Sequence, residues 1–227
     1  MKQNSLLLLA VVATSAALLS WVPLQAQHQP VNPIKTITIG QQVWMAENLS
    51  VSTFRNGDTI PEAKTRTEWN RAGAQRKPAW CYYNNDSTLG AVYGKLYNWF
   101  AVVDPRGLAP AGWHIPSAEE WLQLRAYLGG KRSNAGQQLK STTGWSKNGN
   151  GTNVTGFTAL PGGGRSAGVL INQNEGFLAL GNAGFWWSSN RYKNTTDRFV
   201  FLLTTGNKAK YHWDDGSEGL SVRCVRD

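Results

Sequence analysis

Tyr93 to Trp121, YGKLYNWFAVVDPRGLAPAGWHIPSAEEW, is the stretch on which the fold of this chain turns. Three of the eleven tryptophans fall inside it. Tyr93, Leu96, Tyr97 and Phe100 recur at i, i+3, i+4 and i+7, the spacing of one helix face. Val92, Trp99 and Val103 fall on another face, so the segment is predicted to be a helix buried nearly all round. Asp104-Pro105-Arg106-Gly107 stops it. Ala109-Pro110 keeps the chain extended, because the residue before a proline is pushed out of the helical region. Trp113 and Ile115 enter the core on the way. Ser117 then stands three residues before Glu120, the capping-box spacing in which each side chain satisfies the other's free backbone N–H. Trp121, Leu124 and Leu128 make the buried stripe of this second helix, and Gly129-Gly130 ends it.

On the N-terminal side, Thr36 to Ile39 alternates polar and apolar, Gly40-Gln41 supplies a turn, and Gln42 to Met45 completes a hairpin. A short helix fits Pro61 to Arg71. Trp80 to Tyr83 reads as an aromatic strand closed by Asn84-Asn85-Asp86. Those oxygens lack the alternation of a calcium loop and suit a turn instead. On the C-terminal side a helix is expected over Ser133 to Lys140. Beyond it, Gly, Asn, Ser and Thr loops separate brief apolar runs. Phe157–Leu160, Gly168–Ile171, Phe185–Ser189, Phe199–Leu203 and Leu220–Val225 read as antiparallel strands. The expected class is α+β, with two main helices packed on an antiparallel sheet and long Gly-rich loops.

Length and composition agree with one domain of ordinary size. Charged residues make up 16% of the 227, below the usual quarter, while Gly 24 and Trp 11 are high. That describes a loop-rich globule held by ring contacts and excludes a disordered chain. Residues 1–26 follow the order of a secretory signal, with Lys2, an apolar run from Leu6 to Leu19, and a small-residue site ending at Ala26. Thr14-Ser15 interrupts the run, which falls short of the roughly 20 residues a membrane span needs. Residues 27–35, with Pro30 and Pro33, read as a linker, and 36–227 as the domain. A secreted, periplasmic or cell-surface protein is expected, with no membrane span after cleavage. Losing Lys2 lowers the net charge of +9 by one. An exported basic protein suits anionic glycans, an acidic outer surface or plain solubility, rather than nucleic acid. Cys81 and Cys224 are the only cysteines, and an even pair in an oxidising compartment predicts a structural disulfide. It would close a loop of roughly 140 residues, at most about 4 to 5 kcal/mol in the chain-entropy account.

Catalytic signals are missing: no nucleophile stands beside a base at motif spacing, and no metal-ligand pair recurs. Leu160-Pro-Gly-Gly-Gly-Arg165 lacks the Gly-Lys-Ser/Thr of a phosphate cradle and reads as a tight bend anchored by Arg165. His114, between Trp113 and Ile115, reads as a buried hydrogen-bonded ring. Asp214 and Asp215 offer carboxylates to a cation such as calcium, yet turn chemistry explains them as well, and no cofactor is expected. Trp186-Trp187 is the surface candidate. Adjacent side chains on a strand point to opposite faces, so one indole would enter the core and the other would lie exposed. Beside Asn190, Arg191 and Tyr192 it would make a platform for a sugar or a protein surface.

Ile39-Gly-Gln-Gln-Val-Trp-Met-Ala-Glu-Asn-Leu49, Tyr93-Gly-Lys-Leu-Tyr-Asn-Trp99, Gly107-Leu-Ala-Pro-Ala-Gly-Trp-His-Ile-Pro-Ser117, Glu120-Trp121, Gly156-Phe157 with Leu160-Pro-Gly-Gly162, Trp186-Trp-Ser-Ser189 and Ser221-Val-Arg-Cys-Val-Arg-Asp227 occur in this order. Together they closely resemble the Fibrobacter succinogenes major paralogous domain family. The resemblance implies an exported bacterial protein of the kind found in Bacteroidetes and Fibrobacteres. More distantly, Ile115-Pro-Ser117 with Glu120-Trp121, and Val222-Arg-Cys224, resemble the formylglycine-generating-enzyme group, which implies a C-type lectin-like architecture. That group's paired-cysteine copper site has no counterpart if Cys81 and Cys224 are bonded to each other. The lectin Glu-Pro-Asn motif is missing too, so neither activity carries over. The expected role is an exported, non-catalytic binding or structural module whose partner is a glycan or a cell-surface protein. The competing expectation is an enzyme of the formylglycine-generating, oxidative type on the same fold.

Overall fold

The computed structural model describes residues 34–167, 174–191 and 198–227. The expected leader, nearly all of the linker, the strand at Gly168–Ile171 and Tyr192 lie outside the described residues.

The predicted hairpin forms: β1 (Thr36–Ile39) and β2 (Gln42–Met45) pair antiparallel around Gly40, whose φ is +62°. α1 (Arg66–Ala74) starts later than expected, because Thr65 and Glu68 make a capping box. Then come β3 (Trp80–Cys81), α2 (Ser87–Tyr93), β4 (Leu96–Tyr97), α3 (Trp99–Val102) and β5 (Trp113–His114). α4 (Ala118–Tyr127) and α5 (Ala135–Leu139) precede β6 (Gly164–Arg165), β7 (Phe177–Leu178) and β8 (Ala183–Arg191). β9 (Arg198–Thr204), β10 (Ala209–Asp214) and β11 (Val225–Arg226) complete the chain.

The expected α+β, C-type lectin-like arrangement, two main helices on one antiparallel sheet, is not what forms. The strands divide among a four-stranded sheet ordered β1-β2-β11-β5, a three-stranded sheet ordered β10-β9-β8, and the pairs β3-β4 and β6-β7. The helices are short; α4 matches its prediction closely, and α5 falls within the expected Ser133 to Lys140. Ser117 N–H donates to Glu120 Oε2 at 2.8 Å and Glu120 N–H to Ser117 Oγ at 3.2 Å, so the box is reciprocal. Trp121 and Leu124 are buried beneath it.

The helix predicted from Tyr93 onward breaks into three pieces. Gly94, at φ +78°, ends α2, and Leu96-Tyr97 turns away to pair with Trp80-Cys81. Asn98 then restarts a single helical turn, its Oδ1 accepting from Ala101 N–H at 3.0 Å and from Ala79 N–H at 3.1 Å. The same side chain therefore ties that turn to the strand before it. The apolar spacing was right about the burial of Leu96, Tyr97 and Trp99, but Val92 and Val103 are exposed and the conformation is not one helix.

Short strands give the chain few ladder hydrogen bonds, and in this protein indoles add further ones to backbone carbonyls. Trp69, Trp80, Trp99, Trp121, Trp145 and Trp187 donate Nε1–H to the carbonyls of Ser217, Ile60, Ser188, Trp187, Ala159 and Tyr97 respectively. Each ring thus supplies apolar area and one long-range hydrogen bond, which is how a loop-rich chain holds together without a large sheet.

The rings gather in two main clusters, with β8 and β9 contributing to both. One holds Trp44, Trp121, Phe157, Trp186 and Phe201, with Trp121 stacked on Phe201 at 4.4 Å between centroids and 7° between planes. The other holds Tyr97, Trp99, Trp113, Trp187, Val200 and Leu220. A smaller third cluster surrounds Trp69, Tyr83 and Phe177.

The disulfide is also overturned. Cys81 and Cys224 are both buried free thiols. Cys81 belongs to the third cluster and Cys224 to the second, so each side chain is packed as a small hydrophobe among different neighbours. Burial pushes both thiols up to about 12.

Candidate functional site

Neither tryptophan of the Trp186-Trp187 pair is exposed; both are 0% accessible. Their side chains do point to opposite faces of β8, but each face meets a core cluster. Trp186 Nε1–H donates to Asn48 Oδ1 at 2.9 Å, and Trp187 Nε1–H to the Tyr97 carbonyl at 2.8 Å. Asn190 serves α4: its Oδ1 accepts from Ala118 N–H at 2.8 Å and its Nδ2 donates to Glu119 at 2.8 Å. Arg191 ends β8, its side chain lying outside the described residues, as does Tyr192. No platform of the expected composition is therefore seen among the described residues. His114 is hydrogen-bonded as expected but half-exposed. It bridges Glu120 Oε1 at 2.7 Å and Asp227 Oδ1 at 2.8 Å.

Arg165 is buried and anchors its bend, donating to the carbonyls of Ala63, Lys64 and Glu175 at 2.7, 3.0 and 3.2 Å. It also lines a cleft of about 240 Å³ with Ser166, His212, Asp214 and Glu218 over Phe185 and Leu220. His212 Nε2 stands 3.5 Å from Asp214 Oδ2. Glu218 Oε1 accepts from Ser166 Oγ at 3.2 Å and from Ala167 N–H at 3.4 Å. Burial, then the charge of Asp214, pushes Glu218 up to about 7, and burial raises Asp214 as well. Asp215 is exposed and turned to its own loop, accepting from Ser217 N–H at 2.7 Å. Among the described residues no three His, Cys, Asp or Glu side chains converge as a metal shell. The cleft brings together three residues that the sequence offers, Arg165, Asp214 and the His212 that precedes Trp213-Asp214-Asp215, and adds Glu218, which no motif marks.

A larger groove, of about 470 Å³, lies where the β1–β2 turn meets α4. Tyr127 is 66% exposed at its edge, its ring lying on the turn. A Cβ on Gly40 would come within 2.9 Å of that ring, so glycine is required both for φ and for the close approach. Gln41, Gln42 and Gln123 line the rest with Ile39 and Ala126. Gln42 is buried and donates Nε2–H to the Glu120 carbonyl at 3.1 Å, with Gln123 Oε1 3.5 Å away. The groove thus pairs one open aromatic face with a row of amides, groups that both donate and accept.

A family model described as Fibrobacter succinogenes major domain matches residues 37–226. The chain belongs to that family. No curated protein and no solved structure matches it. In this Fibrobacter succinogenes major domain the segments that carry the resemblance mostly build the core. Trp44, Tyr97, Trp99, Trp113, Trp121, Trp186 and Trp187 are all buried. The same segments also converge on one cavity, to which they contribute Asn48, Gly94, Leu160 and Arg223. Tyr127 escaped notice in the sequence because nothing local separates it from the buried stripe of α4.

Proposed function

We propose that this Fibrobacter succinogenes major domain is an exported, non-catalytic binding module of the bacterial surface or extracellular space. It takes a neutral glycan in the groove between the β1–β2 turn and α4. The observation that carries the reading is the exposed Tyr127 ring beside Gln41, Gln42 and Gln123. The apolar face of a pyranose stacks on such a ring, while amides exchange hydrogen bonds with vicinal hydroxyls. Export rests on the signal-like order of residues 1–26. Among the described residues no helix is long and apolar enough to cross a membrane. The oxidative enzyme reading requires an accessible thiolate, and two buried thiols pushed up to about 12 speak against one.

The test is a glycan array probed with the folded chain, followed by calorimetry on the sugars retained. Tyr127→Ala is expected to weaken binding at least about tenfold, and Gln123→Ala by a few-fold, with melting unchanged, since both side chains sit at the surface. Saturable binding indifferent to Tyr127→Ala, or none at all, would remove the reading.

A further inference from the structure

Residues 121–174 contain six cationic residues, Arg125, Lys131, Arg132, Lys140, Lys147 and Arg165, and no Asp or Glu. Protein surfaces ordinarily intersperse the two signs, so a one-signed stretch of this length is unusual. Lys140 and Arg165 are buried and held by backbone carbonyls. Arg125 lies on the Tyr211 ring, 3.9 Å from its centroid. Lys131, Arg132 and Lys147 point out into solvent.

The fold draws the segments that carry these three together and adds Lys208. Lys140 Nζ donates to the carbonyls of Thr204, Thr205 and Gly206 at 3.2, 3.2 and 2.9 Å, and also to that of Gly149. One buried ammonium thereby fastens the loop of Lys147 to the turn between β9 and β10. The loop of Lys131 and Arg132 leads straight into α5, and α5 packs on the same turn. Gln137 N–H donates to the Asn207 carbonyl at 3.0 Å, and a Cβ on Gly136 would meet the Lys208 carbonyl at 2.8 Å. Lys131, Arg132, Lys147 and Lys208 are all exposed, and none makes an ion pair or side-chain hydrogen bond among the described residues. Asn134, Asn148 and Asn207, on the same three segments, are exposed too, with amides equally unused there. Segments 131–134, 146–149 and 205–208 contain no aliphatic or aromatic side chain.

We infer that this surface is a docking site for an acidic polysaccharide of the polyuronate type. Lys131, Arg132, Lys147 and Lys208 meet carboxylates along the polymer, while the three amides exchange hydrogen bonds with its hydroxyls. Each contact is weak alone, and linkage along one polymer makes them act together. Composition favours this partner over other polyanions. A bilayer is gripped by inserted apolar side chains and single-stranded nucleic acid by aromatic faces, and these segments have neither. The Lys140 contacts hold loop and turn in place beforehand, so little ordering is needed on binding. The surface is separate from the Tyr127 groove and does not depend on it.

Calorimetry of the full chain with soluble polygalacturonate at low salt tests the inference. Its methyl ester, which keeps the backbone without the charge, a DNA duplex, and vesicles containing phosphatidylglycerol serve as comparisons. Polygalacturonate is expected to bind saturably, at least about tenfold more tightly than any of the three, with an affinity that falls as salt rises. Replacing the four cations together, Lys131→Gln, Arg132→Gln, Lys147→Gln and Lys208→Gln, should weaken binding at least about tenfold and leave melting unchanged, since all are exposed. Removing the same charge around α1, by Lys64→Gln, Arg71→Gln, Arg76→Gln and Lys77→Gln, should weaken it less than about threefold. Tyr127→Ala should leave it as it is. No saturable binding, equal binding of the methyl ester, or tighter binding of DNA or vesicles would overturn the inference. So would equal weakening by the two charge-removing sets, or loss of binding in Tyr127→Ala.

Discussion

β8 and β10 flank the same strand, β9, and each carries a tryptophan beside polar residues, yet they meet opposite fates. On β8, Trp186 and Trp187 are both 0% exposed; on β10, Trp213 is 46% exposed and His212 is open as well. The alternation of side chains across a strand is the same in both. What differs is the environment of each face. β8 has a ring cluster on each side, and its free edge is covered as well. Trp187 N–H donates to the Ser221 carbonyl and Ser189 N–H to that of Pro116. On β10, Ala209 and Tyr211 pack on a core, whereas Trp213, two residues further along the same face, is not part of that cluster and stays half-open. Two-faced burial is therefore a property of the neighbours, not of the strand's own sequence.

The sharpest way to extend this contrast is chemical. Cys81 and Cys224 lie buried in core clusters, as Trp186 and Trp187 do, with thiols pushed up to about 12 from an ordinary 9. The native thiolate fraction at neutral pH should be depressed about a thousandfold. A thiol reagent is expected to find no fast-reacting group in the native protein and two after unfolding. Two thiols reacting rapidly in the native state, or none after unfolding, would contradict this packing.

Next in size is the contrast itself. Trp187→Ala empties a closed site and removes one of the two hydrogen bonds to the Tyr97 carbonyl, and should cost about 3–5 kcal/mol in urea unfolding. Trp213→Ala, at a half-open position, should cost under about 1 kcal/mol. Similar losses for the two would end the distinction between β8 and β10.

The smallest effect concerns the cleft beside β10. Glu218 binds its proton more tightly in the folded protein, about 7 against an unfolded 4.5, so the folded state holds the extra proton between these values. Stability should therefore fall as pH rises from about 4.5 to 7 and stay lowered above that window. Glu218→Gln keeps an acceptor for Ser166 and Ala167 but carries no charge. It is expected to be more stable than the parent at pH 8, by on the order of 2 kcal/mol, and equal to it near pH 4. A parent and variant that keep a constant difference from pH 4 to 8 would show that Glu218 does not titrate in this way.

The sequence was most legible where the cause is local. The Thr36–Met45 hairpin, the Ser117–Glu120 box and the glycine stop at Gly129-Gly130, with φ of +98° and +81°, all rest on neighbours within a few residues. The family too was legible, because its tryptophans and glycines recur in a fixed order. Where partners are distant, the reading failed. Periodicity at Tyr93–Phe100 marked burial, but the Trp80-Cys81 strand drew Leu96-Tyr97 out of the helix. The cysteine count suggested a bridge, yet the two side chains are packed in different clusters. Of the expected site, Arg165 and Asp214 do share a cleft, while Trp186 and Trp187 are withdrawn into the core.

By itself the sequence determined the family, the aromatic and glycine-rich character of the core, and the capped helix α4. These follow from composition and from contacts a few residues long. Tertiary structure alone decided what Tyr127 meets, since its ring rests on the Gly40 turn, far away in the chain, and stays open. It also decided that Arg223 is enclosed, its guanidinium held by Asn48, by the Phe157 carbonyl and by the face of the Phe157 ring. Burial and charge balance are sums over everything that surrounds a group, and those surroundings come from segments as far apart as Asn48 and Phe157.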